Sequence, residues 1–301
     1  MKNISLVLGS GGARGYAHIG VIRALEERGY TIASISGASM GALVGGFYAC
    51  GKLGEYEKWV RGLSTLEVAA LLDLSWSRRG LIGGDRLFAR LSEILGPCLI
   101  EELPLPYTAV AVDLRRAREV WFQRGPLIDA IRASIAIPSF FTPVEREGML
   151  LVDGGALNPL PVAPTMSDHT DMTIAVDLYG DEPPPGQKTR ESSSQLLETL
   201  LRRKKKAKSS RRSQENYHLF DIIDRTIETM QKTLTNYRLG GYPPDLLIRI
   251  PKEVCGAYDF HRADEVIPVG YQKAMEVLES GDFSAPGKPI ASGSPSSRDA
   301  Q

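Results

Sequence analysis

The sequence predicts an α/β fold organised on a parallel sheet, and three observations point there. Residues 4–8 form a short apolar run, residues 9–15 read Gly-Ser-Gly-Gly-Ala-Arg-Gly, and Ile19, Ile22 and Leu25 then recur at helical spacing until Gly29. A second apolar run, residues 30–35, follows directly. Strand, glycine loop, helix and strand in that order describe two parallel neighbours joined by a right-handed crossover. The glycine loop and whatever ends the second strand then share one sheet edge, the edge at which open α/β sheets bind ligands.

The second strand runs into residues 36–45, Ser-Gly-Ala-Ser-Met-Gly-Ala-Leu-Val-Gly, and small and apolar residues continue to Cys50. Gly37 and Gly41 flank Ser39 in G-x-S-x-G spacing, as a sharp strand-to-helix turn requires where neighbouring backbones crowd out side chains. Taken alone, the pentapeptide fits a nucleophilic serine or a structural turn. The glycine loop narrows the choice. A dinucleotide fingerprint would need a third glycine where Arg14 stands and an acidic residue after the second strand, and a phosphate-binding loop would need a Gly-Lys-Ser/Thr ending; both are missing. What remains is a tight turn or an oxyanion hole, in which Gly11 and Gly12 direct N–H groups at a developing alkoxide.

Further along, residues 54–72 read as one or two short helices, 75–84 as a polar connection and 85–95 as an amphipathic helix. Strands at 107–114 and 119–122 flank a charged turn, a helix opens near Pro126, and 134–144 is an apolar, proline-punctuated loop. Strands follow at 149–152 and 173–178, then a long helix at 217–239, a strand at 245–250 and a helix at 263–278. Asp113, Asp153 and Asp177 each stand at the end of an apolar strand, where an aspartate usually forms a turn. Asp153 differs in being followed by Gly154 and Gly155, which permit close backbone approach at the active edge.

Composition sets the boundaries. The 301 residues are 43% hydrophobic with a formal net charge of zero, so nothing global calls for nucleic acid. Cys50, Cys98 and Cys255 are odd in number and lack metal spacing, which argues against a disulfide framework and for small core residues in a cytoplasmic setting. The first residues are too short an apolar run for a signal peptide or membrane span. Charge is concentrated in residues 188–212, with ten basic residues against two acidic ones, just after the stripe Leu196, Leu197, Leu200 and Leu201. A solvated insertion at about 180–214 and a basic amphipathic segment resting on anionic membrane are both open; nucleic acid is not expected, because no aromatic residues interleave the charges. Residues 281–301, rich in Ser, Pro, Gly and Ala, read as a disordered tail.

For the chemistry, His18, His169, His218 and His261 are the histidines available to a serine. His261 has the chain order of a hydrolase triad but sits at an ordinary helix start, and His18 lies one turn inside the first helix. The economical alternative is a dyad in which Asp153 takes the Ser39 proton, which requires burial to raise a carboxyl from its usual value near 4. The blocks 9–15, 37–41 (Gly-Ala-Ser-Met-Gly) and 153–155 (Asp-Gly-Gly) resemble, in order and spacing, the signature blocks of the patatin-like phospholipase family, and 134–144 resembles its loop before the last block. Residues 220–274 are similar to bacterial members related to the neuropathy target esterase domain. The resemblance implies a three-layer α/β/α fold with a mostly parallel sheet and one catalytic domain over residues 1–280. It further implies a serine lipid acyl hydrolase of phospholipids or lysophospholipids with a Ser39–Asp153 dyad, an oxyanion loop of Gly11, Gly12 and Arg14, and neither metal nor cofactor. Ser10 stands where many members carry another glycine. A lipid-binding protein with little turnover, and an acyltransferase using the same residues, are the alternatives.

Overall fold

The computed structural model describes residues 2–71, 84–138, 140–181 and 219–280. The basic segment 188–212 and the tail 281–301 lie outside the described residues, as does the 75–84 connection up to residue 83. In chain order the strands are β1 (Lys2–Leu8), β2 (Tyr30–Ala38), β3 (Tyr107–Asp113), β4 (Arg118–Phe122), β5 (Val144–Arg146), β6 (Met149–Asp153), β7 (Met172–Gly180) and β8 (Leu246–Pro251). The helices are α1 (Ala17–Glu27), α2 (Met40–Ala49), α3 (Leu53–Arg61), α4 (Thr65–Leu71), α5 (Asp85–Leu95), α6 (Leu127–Ser134), α7 (Leu219–Gly241) and α8 (Ala263–Ser280). A 3₁₀ turn, Gly12–Tyr16, precedes α1.

These strands form one sheet in the order β5-β6-β3-β2-β1-β7-β8, with β4 also paired to β3. The pairs β2–β3, β1–β2, β1–β7 and β7–β8 are parallel, and the antiparallel pairs are confined to one side, among β3, β4, β5 and β6. On one face Ile4, Leu6 and Leu8 of β1 join the large core with α1, α2, α5, α6 and α8; on the other, Val7 and Ala175 meet Leu160, Val162 and Leu239 of α7. The result is the mostly parallel sheet between two covering layers that the sequence predicts. β5 was not predicted. Its three residues are too few to show alternation, and it exists because Glu147 (φ 50°) and Gly148 (φ 73°) close a two-residue hairpin onto β6.

One topological detail positions the site. β4 occupies one edge of β3 across residues 109–113, so β2 and β6 share the other, end to end. The even-numbered backbone groups of β3 face that shared edge, for Pro106 accepts from Ile35 N–H and Leu114 donates to Leu150 O. β2 ends with Ala38 opposite Val110, and β6, running the opposite way, ends with Asp153 opposite Ala111. Two strands thus stop head to head on consecutive residues of a third, about 3.8 Å apart along it. Gly154 makes the junction close enough: a Cβ there would lie 2.1 Å from Val110 O.

A methyl at that contact must push the end of β6 off β3. Gly154→Ala is expected to destabilise the protein by about 1–3 kcal/mol in urea denaturation.

Candidate active site

Ser39 occupies the turn between β2 and α2 with φ 55° and ψ −126°, a left-handed conformation that costs a non-glycine residue about 1–3 kcal/mol. Its surroundings enforce that geometry. α2 is apolar around nearly its whole circumference and is buried from Met40 through Phe47, so it enters the core rather than lying on it. Gly41, in its first turn, passes so near β1 that a Cβ would lie 2.0 Å from Leu8 O, and Gly37 sits on the β2 side of the same turn. The Ser39 carbonyl accepts from Leu43 N–H at 3.1 Å, and its N–H donates to Ser134 Oγ at 2.9 Å.

Ser39 Oγ donates to Asp153 Oδ2 at 2.5 Å, a distance typical of a charge-assisted O–H···O⁻ bond. Both residues are almost wholly buried. The second carboxylate oxygen, Oδ1, accepts from Gly155 N–H at 2.7 Å, and the Asp153 N–H donates to Ala136 O at 2.9 Å. Burial pushes the Asp153 carboxyl up to about 6, against the lowering effect of the hydrogen bonds from Ser39 and Gly155. The other strand-end aspartates go elsewhere. Asp113 pairs with Arg116 and accepts from the N–H groups of Arg115 and Leu150, which hold its carboxyl below the usual value. Asp177 accepts from Tyr179 N–H, and burial raises it.

No described histidine bonds Ser39. His18 is fully buried with Nε2 2.8 Å from Gly9 O, so Nε2 carries the proton and burial lowers the ring to about 4. It is a neutral brace for the glycine loop. His169 and His261 are exposed, and His218 lies outside the described residues. Among the described residues no cluster of His, Cys, Asp and Glu could hold a metal ion.

The glycine loop brings Gly11 and Gly12 to the same cavity as Ser39 and Asp153. Ser10 N–H and Ala13 N–H, on either side, are committed to Pro159 O and Ala257 O at 2.8 Å each, whereas the N–H groups of Gly11 and Gly12 bond no described residue. Gly12 has φ 59°, and a Cβ there would lie 2.3 Å from Ala257 O. Arg14 also lines the cavity, with its guanidinium committed: Nε donates to Cys255 O at 3.2 Å, an amino group meets Glu228 at 3.0 Å, and the ring of Tyr179 lies 5.4 Å away. Its side chain therefore ties the loop to α7.

Two cavities meet at Ser39. One, of about 180 Å³, carries the glycine loop, Asp153, Tyr179, Glu228 and Gln231; the other, about 60 Å³, is almost entirely apolar, with Met40, Leu43, Trp59, Leu87, Leu91 and Phe141. Sequence reasoning missed Ser134, which reads only as part of an apolar loop. It also missed Tyr179, which reads only as the end of a strand, and Glu228 and Gln231, because α7 reaches the cavity from far along the chain.

Comparison with known proteins follows the same blocks. A family model described as patatin-like phospholipase matches residues 6–166. Uncharacterized NTE family proteins of Mycobacterium bovis and Mycobacterium tuberculosis are 41% identical over 329 residues, covering 92% of this chain and 91% of theirs. The lysophospholipase NTE1 of Coccidioides immitis is 29% identical over 285 residues, covering 92% of this chain and 18% of that protein. Among solved structures, VipD from Legionella pneumophila is similar with a TM-score of 0.47 and 15% identity, over 93% of this chain and 67% of that one.

Ser134 Oγ also donates to Val110 O at 2.6 Å, at the strand junction, and the side chain is fully buried. Ser134→Ala strands a buried donor on Ser39 and a buried acceptor on Val110. The expected cost is about 2–6 kcal/mol in urea denaturation, from two unsatisfied groups at about 1–3 kcal/mol each.

Proposed function

Because this chain belongs to the patatin-like phospholipase family, whose activity is lipid acyl hydrolysis, we propose that it cleaves carboxylic esters of phospholipids or lysophospholipids through a Ser39–Asp153 dyad. The observation that carries this reading is the 2.5 Å bond from the strained, buried Ser39 hydroxyl to a carboxylate whose proton affinity burial has raised. The two-sided site supports it. An ester whose carbonyl carbon sits at Ser39 has a narrow apolar cavity for its acyl chain on one side, and on the other a larger cavity for its alcohol half, in which Glu228, Gln231 and Tyr179 stand among apolar residues.

In the proposed reaction Ser39 Oγ attacks the ester carbonyl carbon while its proton passes to Asp153 Oδ2. The carbonyl π electrons move to oxygen, and the uncommitted N–H groups of Gly11 and Gly12 receive the negative charge. Collapse breaks the carbon–oxygen bond to the alcohol, which leaves with the proton from Asp153, and the acyl group remains on Ser39. Water then attacks the acyl-enzyme as Asp153 takes its proton; the acyl–Oγ bond breaks, Asp153 returns the proton to Ser39 Oγ, and the carboxylic acid leaves. A carboxylate near 6 is a better base than one near 4 and still ionised at neutral pH, which is the compromise general-base catalysis favours. Arg14 serves this reading as a tether of the oxyanion loop.

Ser39→Ala is expected to abolish both turnover of a lysophospholipid and labelling by a fluorophosphonate probe. Persistent labelling at any other residue, with turnover retained, would contradict the dyad. The active base is the ionised form, so kcat/KM should rise with pH through a midpoint near 6 and level off above it. Stability should run the other way. A carboxyl whose folded value is raised loses stability as pH climbs from the unfolded value, near 4, through 6. Asp153→Asn removes that penalty, so at pH 8 it is expected to be up to about 3 kcal/mol more stable than the wild type while losing turnover by orders of magnitude. Urea melts at pH 5 and pH 8 measure the difference.

A further inference from the structure

We infer that Cys50 and Cys98 are a disulfide-forming pair, a covalent modification site outside the proposed catalytic centre. Their sulfurs lie 2.8 Å apart although the residues are 48 apart in sequence, and both side chains are half-buried, within reach of a small reagent. A disulfide bond is about 2.05 Å long, so closure asks for a sulfur displacement of under about 1 Å. The two backbones are already fixed. Cys50 caps α2, its N–H bonded to Gly46 O at 3.0 Å; Cys98 accepts from Leu127 N–H, the first residue of α6, at 2.9 Å. Cys255, the third cysteine, is buried elsewhere, with its carbonyl held by Arg14.

The chemistry balances with a low-molecular-weight disulfide as the oxidant. The Cys50 thiolate attacks one sulfur of the reagent, forming a mixed disulfide and releasing one thiol. Cys98 then attacks the Cys50 sulfur, its proton going to the departing thiolate, which leaves as the second thiol. Two protein thiols are oxidised and one small disulfide is reduced. Burial and the hydrogen bond with Cys50 raise the Cys98 thiol well above its usual value, which makes the second step the slow one.

The segment that this bond encloses carries much of the apolar cavity wall, including Trp59 and Val68 from α3 and α4 and Leu87 and Leu91 from α5. Its two ends are Cys50, at the far end of the helix that follows Ser39, and Cys98, whose carbonyl is bonded to the first residue of the helix that ends in Ser134. Oxidation therefore fixes this wall to the scaffold of the serine turn and reduces the freedom of a long loop in the unfolded chain. The inference stands on the cysteine geometry and is independent of the proposed ester hydrolysis.

The test treats the full chain with glutathione disulfide at pH 8, then alkylates it under denaturing conditions and reads intact mass and peptide maps. The expected wild type has one alkylated cysteine, Cys255, and a Cys50–Cys98 cross-linked peptide, and reverts to three alkylated cysteines with dithiothreitol. Its oxidised form should melt about 5 °C or more above the reduced form. Cys50→Ser and Cys98→Ser should lose both the cross-link and the oxidation-dependent shift. Three alkylated cysteines after oxidation, a stable glutathione adduct in place of the cross-link, or a bridge to Cys255 would overturn the pairing. A cross-link without a rise in melting temperature would overturn the stapling.

Discussion

The structure depends on an unusual sharing of one strand edge. β2 and β6 meet head to head on β3, and such a meeting leaves backbone groups without the ladder partners that a continuous strand would supply. Buried and unpaired, each would cost about 1–3 kcal/mol. Ser134 closes the gap by accepting from Ser39 N–H and donating to Val110 O, and Ala136 accepts from Asp153 N–H. The segment that ends α6 thus satisfies the junction and aligns the serine and the aspartate in the same act. Because strand ends set their separation, the 2.5 Å contact does not rely on flexible side chains finding one another.

That arrangement places stability and the proposed chemistry in opposition. Ser39 is held in a conformation that serine rarely adopts, and Asp153 is held in a setting that disfavours its charge. Both costs are met by the surroundings: close helix and strand contacts around Gly41, hydrogen bonds to Asp153 from Gly155 and Ser39, and the apolar α2 embedded in the core. Raised proton affinity and a strained turn are the properties that a carboxylate base and a nucleophile need, so the same costs serve the proposed reaction.

The cavity is assembled from parts of the chain with different roles. The glycine loop offers uncommitted N–H groups because His18 fixes Gly9 O from behind while Pro159 and Ala257 occupy the flanking donors. α7 closes the glycine-loop side through Glu228 on Arg14 and Gln231 on the Tyr179 hydroxyl, and is itself anchored by Arg238 on Glu119 and Leu157 O and by Leu239 in the smaller core. The apolar side comes from α2 through α5 and the loop around Phe141. Ser39 lies where the two meet.

Much of this was legible in the sequence, where local chemistry is strict. A glycine loop between strand and helix, a G-x-S-x-G turn and an Asp-Gly-Gly strand end each carry their own steric reason, and together they name Ser39, Asp153, Gly11 and Gly12 and the α/β class. What only tertiary structure decided are the relations across long stretches of chain. Among them are the sharing of the β3 edge that lays Asp153 against Ser39, and the bridging hydroxyl of Ser134. Arg14 turned to Glu228 and Cys50 laid against Cys98 belong there too. Periodicity reports which face of an element is buried; it carries no information about which buried group another element 40 to 240 residues away will meet, because that is fixed by strand order and packing.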